Sequence, residues 1–173
     1  MEDVFFTEEE CKNIINLTNI LDKVKEKSFL GNLNSHNNEI SYDVWNVNRD
    51  DSTQWIFNKL HKFFTSNTNI EIKSELNQVH IHKFIKGEKF TRHIDNYYPT
   101  QQHNIGVCLN DDYGGGEFVL FNPNLTLPKK TGSIYTFESR REHEVKEITS
   151  GERWSLISFL HTYHLKYKIN KFI

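Results

Sequence analysis

Only two cysteines, Cys11 and Cys108, occur in 173 residues, and neither lies in a CxxC pair. A disulfide scaffold and a paired-thiolate metal site are therefore not expected. Cys108 sits within an apolar run and reads as a small core residue. No apolar stretch approaches the length of a membrane span, and the acidic start Met1-Glu2-Asp3 does not look like a signal peptide. With 3 prolines and 8 glycines the chain has no Pro/Gly-rich linker. It also has no internal repeat or low-complexity tract, so no domain boundary is expected. Neither sign of charge dominates: 21 Lys and Arg stand against 23 Asp and Glu, a formal net charge of −2. That balance weighs against duplex nucleic acid and membrane surfaces as partners, since both select a strong basic excess. The local basic run of Lys166, Lys168 and Lys171 reads as a solvated end. Cysteine usage points to a reducing, cytoplasmic setting. Abundant Asn, Lys and Ile suit an AT-rich coding sequence of microbial or viral kind.

What the chain does have is enough length for one compact domain, residues 1–173, with a real core. Thr7-Glu8-Glu9-Glu10 has the form of a capping box. Cys11, Ile14, Ile15 and Leu21 then recur at helical spacing, giving a helix over 8–21. Residues 31–43, rich in Asn, Ser and Gly, read as an exposed loop. A second helix is expected over 52–64, where Ile56, Leu60, Phe63 and Phe64 share a face. From about residue 70 the texture changes to short strands, at 77–85, 89–95, 104–110, 117–121, 132–137, 143–148 and 152–161. Helical support over 1–69 and a strand-rich core over 70–162 make an α+β domain, with an antiparallel sandwich or barrel as its core. A jelly roll, or double-stranded β-helix, with the N-terminal helices packed on one sheet fits the strand count.

Three pieces of this strand-rich half carry chemistry. In a strand, residues i and i+2 face the same way, so His93 and Asp95 of His93-Ile94-Asp95 can converge on one ion. Alone the motif means little, because nine His and eight Asp would give a chance HxD roughly 0.4 times. His143 opens an alternating run to Ile148, typical of a half-buried strand. Two imidazoles and a carboxylate on neighbouring strands form a facial triad that leaves positions open on Fe(II); zinc accepts the same ligands. Arg153 and Ser155 share a face of the next strand, where a guanidinium fork and a hydroxyl can grip one carboxylate. Trp154 points the other way, into packing.

The order HxD, a His 48 residues after Asp95, then Gly151-x-Arg153-x-Ser155 resembles the prolyl 4-hydroxylase-like branch of the 2-oxoglutarate/Fe(II) dioxygenases. The likeness runs from about Val4 to His161. Phe5 to Cys11 looks like the helix that opens such domains. Gln78-Val79-His80-Ile81-His82-Lys83-Phe84, Gly87, Phe90, His93 and Asp95 resemble the first two core strands. Leu109 to Phe118 resembles the "LND…GGE" turn, and His143 to Val145 with Gly151 to Ser155 resembles the second-histidine and cofactor-arginine strands. The resemblance implies that His93, Asp95 and His143 hold Fe(II), and that Arg153, with Ser155 and Asn104, holds 2-oxoglutarate. It also implies O2 as cosubstrate, ascorbate as a further cofactor, and hydroxylation of a C–H bond, with peptidyl proline the leading substrate.

The chain departs from the branch's collagen-type members, which place Lys at Arg153 and Tyr at Phe84 and Cys108. Arg is found in PKHD-type relatives. Ser155, Asn104 or an inward His could stand in for the missing hydroxyls. Strand alternation turns His80 and His82 toward the cavity as substrate-lining candidates. Tyr97 and Tyr98 follow the triad in a loop, where substrate contacts concentrate. Trp45 could cap the entrance or pack in the core, and Arg140 and Arg141 could attract a peptide or an acidic group. Loops 31–43 and 96–103 are expected at the cavity mouth. Two further readings stay open: the same centre acting on a small metabolite, free amino acid or nucleobase, and a noncatalytic cupin-like binding module.

Overall fold

A computed structural model describes residues 4–24, 42–73, 78–95 and 101–162. Tyr97, Tyr98, residues 31–41 and the lysines at 166, 168 and 171 lie outside the described residues.

Helix α1 spans Glu8–Asn16. Its capping box is closed from both sides, Thr7 N–H donating to Glu10 Oε2 at 2.7 Å and Glu10 N–H to Thr7 Oγ1 at 3.1 Å. The helix stops short of the expected residue 21. Thr18 Oγ1 turns back to the Ile15 carbonyl at 2.7 Å, and Leu17–Asn19 tightens into a 3-10 turn, as residues that hydrogen-bond their own backbone tend to do. Helix α2 spans Gln54–Asn67. Asp50 Oδ1 accepts the amides of Ser52 and Thr53 just ahead of it, which moves its start two residues past the expected one.

The strands are β1 (Lys23–Val24), β2 (Asp43–Val47), β3 (Gln78–Ile85), β4 (Phe90–His93), β5 (Gln101–Cys108) and β6 (Gly114–Gly115), then β7 (Phe118–Leu120), β8 (Leu125–Thr126), β9 (Ile134–Glu138), β10 (His143–Val145), β11 (Ile148–Ser150) and β12 (Glu152–His161). They form a six-stranded sheet in the order β1-β2-β3-β12-β5-β9, a four-stranded sheet β4-β10-β7-β8, and the pair β11-β6. Every pairing is antiparallel. The two larger sheets make a double-stranded β-helix core.

Several sequence expectations shift. Strand β2 was not anticipated, and it claims Asp43 from the expected loop. Residues 101–103 belong to β5 rather than to a loop. The strand expected over 143–148 is two short ones, β10 and β11, with the register shifting inside each pairing.

Alternation along the large sheet separates two cores. Trp45, Val47, Val79, Ile81, Ile105, Val107, Leu156 and Leu160 face one way and pack with Ile14, Ile56, Phe57, Leu60 and Phe64 of the helices. The opposite face looks into the space between the sheets, where Phe84 and Phe137 join Tyr113, Phe118 and Val145. This division, period 2 on each strand, decides which side chains can reach a common interior site. Among the described residues no helix is long and apolar enough to cross a membrane.

Candidate metal and cosubstrate site

His93 and His143 are register partners across β4 and β10. Asp95 lies two residues beyond the end of β4, and its amide donates to the Ser139 carbonyl at 2.8 Å. That bond turns its carboxylate back to the histidines. Asp95 Oδ1 lies 3.3 Å from His93 Nε2, and Oδ2 lies 3.2 Å from His143 Nε2. The three donor atoms fall within 4.8 Å of one another, and all three residues are buried.

The second nitrogen of each imidazole is anchored. His93 Nδ1 lies 2.7 Å from the Thr91 carbonyl, and His143 Nδ1 lies 2.9 Å from the Arg141 carbonyl. A carbonyl only accepts, so Nδ1–H donates and each Nε2 lone pair is aimed at the common centre. His93 Nε2 is buried and, with its Nδ1 donating to a carbonyl, finds no donor for its lone pair among the described residues. An orphaned lone pair beside a buried carboxylate is what a divalent cation would satisfy, and an N2O donor set suits Fe(II) better than a soft, thiolate-seeking metal. The donor set fits such an ion.

Burial by itself raises the Asp95 carboxyl, but the neighbouring His143 and His93 imidazoles outweigh it and hold the group below the usual carboxylate range. Asn104 adds to this. It is fully buried, its Nδ2 donates to Asp95 Oδ2 at 2.8 Å, and its Oδ1 accepts from Ser139 Oγ at 3.1 Å. Asn104, expected at the cosubstrate, is therefore spent on orienting Asp95. Aromatic rings enclose the centre: Phe90 lies 3.7 Å from the His93 ring, and Phe137 lies 4.8 Å edge-on to His143.

Arg153 enters from the opposite sheet. It is 4% exposed, and no carboxylate among the described residues pairs with it. Its Nε donates to the Gly116 carbonyl at 3.2 Å and its Nη1 to Ser155 Oγ at 2.9 Å. Gly116, at φ +67°, lets the turn come this close. A Cβ there would meet Ile148 Cδ1 at 2.5 Å and Arg153 Cδ at 3.2 Å. The guanidinium also stands 5.6 Å from the centroid of Phe84. A buried cation with no carboxylate partner among the described residues and a hydroxyl at its side can receive a carboxylate.

His82 joins this interior. It is opposite Ser155, its Nε2 is buried without a partner, and burial holds it well below the ordinary imidazole range. His80 sits further along, edge-on to Phe159 at 5.1 Å. Trp45 does not join. Its position on β2 turns it to the helical side, where it stacks on Trp154 at 5.5 Å, so the entrance-cap role is withdrawn. Arg141 is committed to backbone carbonyls, Nε to Phe121 at 3.0 Å and Nη2 to Pro123 at 2.8 Å. A cavity of about 810 Å³ is lined by Phe121, Phe137, Glu138, Arg140 and Glu142, of which Phe137 packs on the His143 ring. Tyr113 and Tyr135, which sequence reasoning did not single out, belong to the wall around Arg153. Tyr113 Oη is 3.9 Å from Cys108 Sγ. Only the register of β5 with β9 places Tyr135 there.

Residues 78–161 match the family model of the 2OG-Fe(II) oxygenase superfamily. Among curated proteins, the chain is 32% identical over 88 residues to a PKHD-type hydroxylase of Prochlorococcus marinus (strain MIT 9215), covering 47% of this chain and 40% of that protein. The chain thus spans less than half the length of that relative. Among solved structures it is similar to a Pseudomonas putida prolyl-4-hydroxylase, with TM-score 0.70, 14% identity, and 92% and 90% of the two chains covered. It is also similar to the viral collagen prolyl hydroxylase of Paramecium Bursaria Chlorella virus-1, with TM-score 0.68, 16% identity and 93% of each chain covered. At such identities these structures speak for the fold alone. Residues 78–161 of this chain thus match the 2OG-Fe(II) oxygenase superfamily model, and the fold is prolyl 4-hydroxylase-like.

Proposed function

We propose that the chain is an Fe(II)- and 2-oxoglutarate-dependent dioxygenase that hydroxylates a C–H bond, acting as a single domain in an intracellular setting. The observation that carries this reading is the pairing of two features across one interior. A buried His93–Asp95–His143 cluster faces Arg153, a buried cation with no carboxylate of its own among the described residues. A metal site alone would need no such arginine, which is why a noncatalytic barrel is the weaker reading.

In this reading His93, Asp95 and His143 hold Fe(II), and Arg153 with Ser155 holds the far carboxylate of 2-oxoglutarate. The bound iron and cosubstrate supply the oxidising chemistry, 2-oxoglutarate and O2 going to succinate and CO2 as the substrate gains its hydroxyl, with ascorbate as a supporting reductant. The chain's own contribution is placement. Thr91 and Arg141 carbonyls fix the imidazoles, Asn104 fixes the carboxylate, and Phe90, Phe118 and Phe137 keep water from the centre.

The substrate proposed is a peptide-borne proline. The relatives are named for prolyl and PKHD-type hydroxylation. The cavity that shares Phe137 with the metal site has polar, mixed-charge walls of the kind that accept a peptide backbone. The test is succinate release with Fe(II) and 2-oxoglutarate across proline-containing peptides, free amino acids and methylated nucleotides. Stimulation by proline peptides is expected. Stimulation only by an amino acid or a nucleotide would overturn the substrate, and succinate from none of them would overturn the enzyme.

A further inference from the structure

Tyr135 stands directly opposite Gly106 where β9 pairs with β5. The glycine is required by the ring rather than by the backbone. A Cβ on Gly106 would lie 2.2 Å from Tyr135 Cζ, 2.3 Å from Cε2 and 2.4 Å from Oη. The phenol therefore lies flat across β5, with its hydroxyl carried over Gly106 toward β12, the strand that bears Arg153 and Ser155. Phe118 packs on the ring with centroids 5.1 Å apart.

At the end of that reach the hydroxyl proton meets no acceptor among the described residues. Tyr135 Oη is shut off from solvent and has no hydrogen-bond partner of good geometry among the described residues. A buried hydroxyl left unsatisfied is destabilising, and native interiors seldom leave one without a reason. Its neighbours explain why no protein acceptor serves. The guanidinium of Arg153 reaches the phenol oxygen, but it has only donors and leaves the hydroxyl proton without an acceptor. Phe84, opposite Arg153 on β3, has no polar atom. Cys108, opposite Ser155 on β5, turns its Sγ to the Asn110 carbonyl at 3.0 Å. Two sets of donors, the Arg153 fork and the Tyr135 hydroxyl, thus converge on one space. Tyr113, the other phenol near Arg153, already has Cys108 as a neighbour.

We propose that Tyr135 is a positioning residue for the dicarboxylate, donating its hydroxyl to the same far carboxylate that Arg153 holds, with Gly106 present to let the ring cross. This rests on the reading of the site as a 2-oxoglutarate site. Burial pushes the Tyr135 phenol up to about 12, against the opposing charge of Arg153, so it remains a protonated donor at any working pH. One oxygen of the carboxylate then meets a cationic fork and the other a neutral donor. The site would therefore select for a carboxylate at that distance from the keto end.

The test is calorimetric titration of the full chain, loaded with Mn(II) and free of turnover. Tyr135→Phe keeps the ring over Gly106 and removes only the hydroxyl. It should weaken 2-oxoglutarate by about tenfold, the size of one hydrogen bond to a charged group. It should leave 2-oxobutyrate, which lacks the far carboxylate, bound as in the wild type. Gly106→Ala, which retains the phenol but drives it aside, should give the same selective loss and serves if Tyr135→Phe does not fold. Equal 2-oxoglutarate affinity in wild type and variants overturns the role of Tyr135 and leaves the site reading intact. Equal losses for both keto acids overturn it too, because the hydroxyl would then act at the keto end. A wild-type protein that binds no 2-oxoglutarate overturns both.

Discussion

Asn104 Nδ2 donates to Asp95 Oδ2 at 2.8 Å, and both side chains are buried. The amide in turn is held by Ser139, so the carboxylate has one orientation toward the two imidazoles. Removing such an orienting partner typically costs 10- to 100-fold in metal affinity, on the order of 1–3 kcal/mol. Asn104→Ala is therefore expected to bind Fe(II) at least about tenfold more weakly while folding normally. Anaerobic metal titration checks this, and an unchanged affinity would mean that the imidazoles alone orient Asp95.

Arg153 is the second point of test. Losing a charged hydrogen-bond partner costs about 1.5–3 kcal/mol. Arg153→Ala should accordingly raise the 2-oxoglutarate requirement by well over about tenfold. Lysine supplies the charge without the fork, so Arg153→Lys should recover part of the loss. An unchanged requirement in Arg153→Ala would separate the buried guanidinium from the cosubstrate.

The buried histidines give stability a pH dependence of known sign. Burial lowers His80 to about 4 and holds His82 well below its ordinary value. With folded values below the unfolded value of about 6.5, the unfolded chain takes up protons first as pH falls. Stability is then complete above about pH 6.5 and is lost as pH drops toward 4. Melting of the metal-free protein across this window should show the fall. His80→Gln should make it shallower by on the order of 1 kcal/mol, and an identical slope would mean that His80 is not held neutral by the fold.

Trp45 separates packing from catalysis. It is 7% exposed and stacks on Trp154 on the helical side of the sheet. Trp45→Ala should cost about 3–5 kcal/mol, as truncation of a buried aromatic does. It should leave 2-oxoglutarate affinity within about twofold of wild type at temperatures where it stays folded, a difference below the cost of one hydrogen bond. Denaturant unfolding and ligand titration on the same sample test both halves.

The convergence of His93, Asp95 and His143 was legible in the sequence because it follows from strand parity and from ordered spacing, both local properties. The facing of Arg153 and Ser155, with Trp154 turned away, was legible for the same reason. Tyr135 was not. Its neighbourhood depends on Gly106 lying across from it, and the offset between β5 and β9 is set by pairing at a distance in the chain. Asn104 was placed in the right interior, but its bond to Asp95 was not foreseen, since nothing local says that a residue nine positions earlier turns back to meet it. Trp45 was left between entrance and core because β2 itself went unseen. Once β2 pairs with β3, Trp45 falls opposite Ile81 and on the helical face.

Metal binding by Asp95→Ala tests the central claim most directly, because Asp95 is the only anionic side chain in the cluster. Equilibrium dialysis against Fe(II) without oxygen should find about one ion per wild-type chain, as a facial triad requires. Asp95→Ala at the same concentrations, with an unchanged fold by circular dichroism, should retain almost none. Full Fe(II) occupancy in that variant would contradict the assignment of His93, Asp95 and His143 as the iron site.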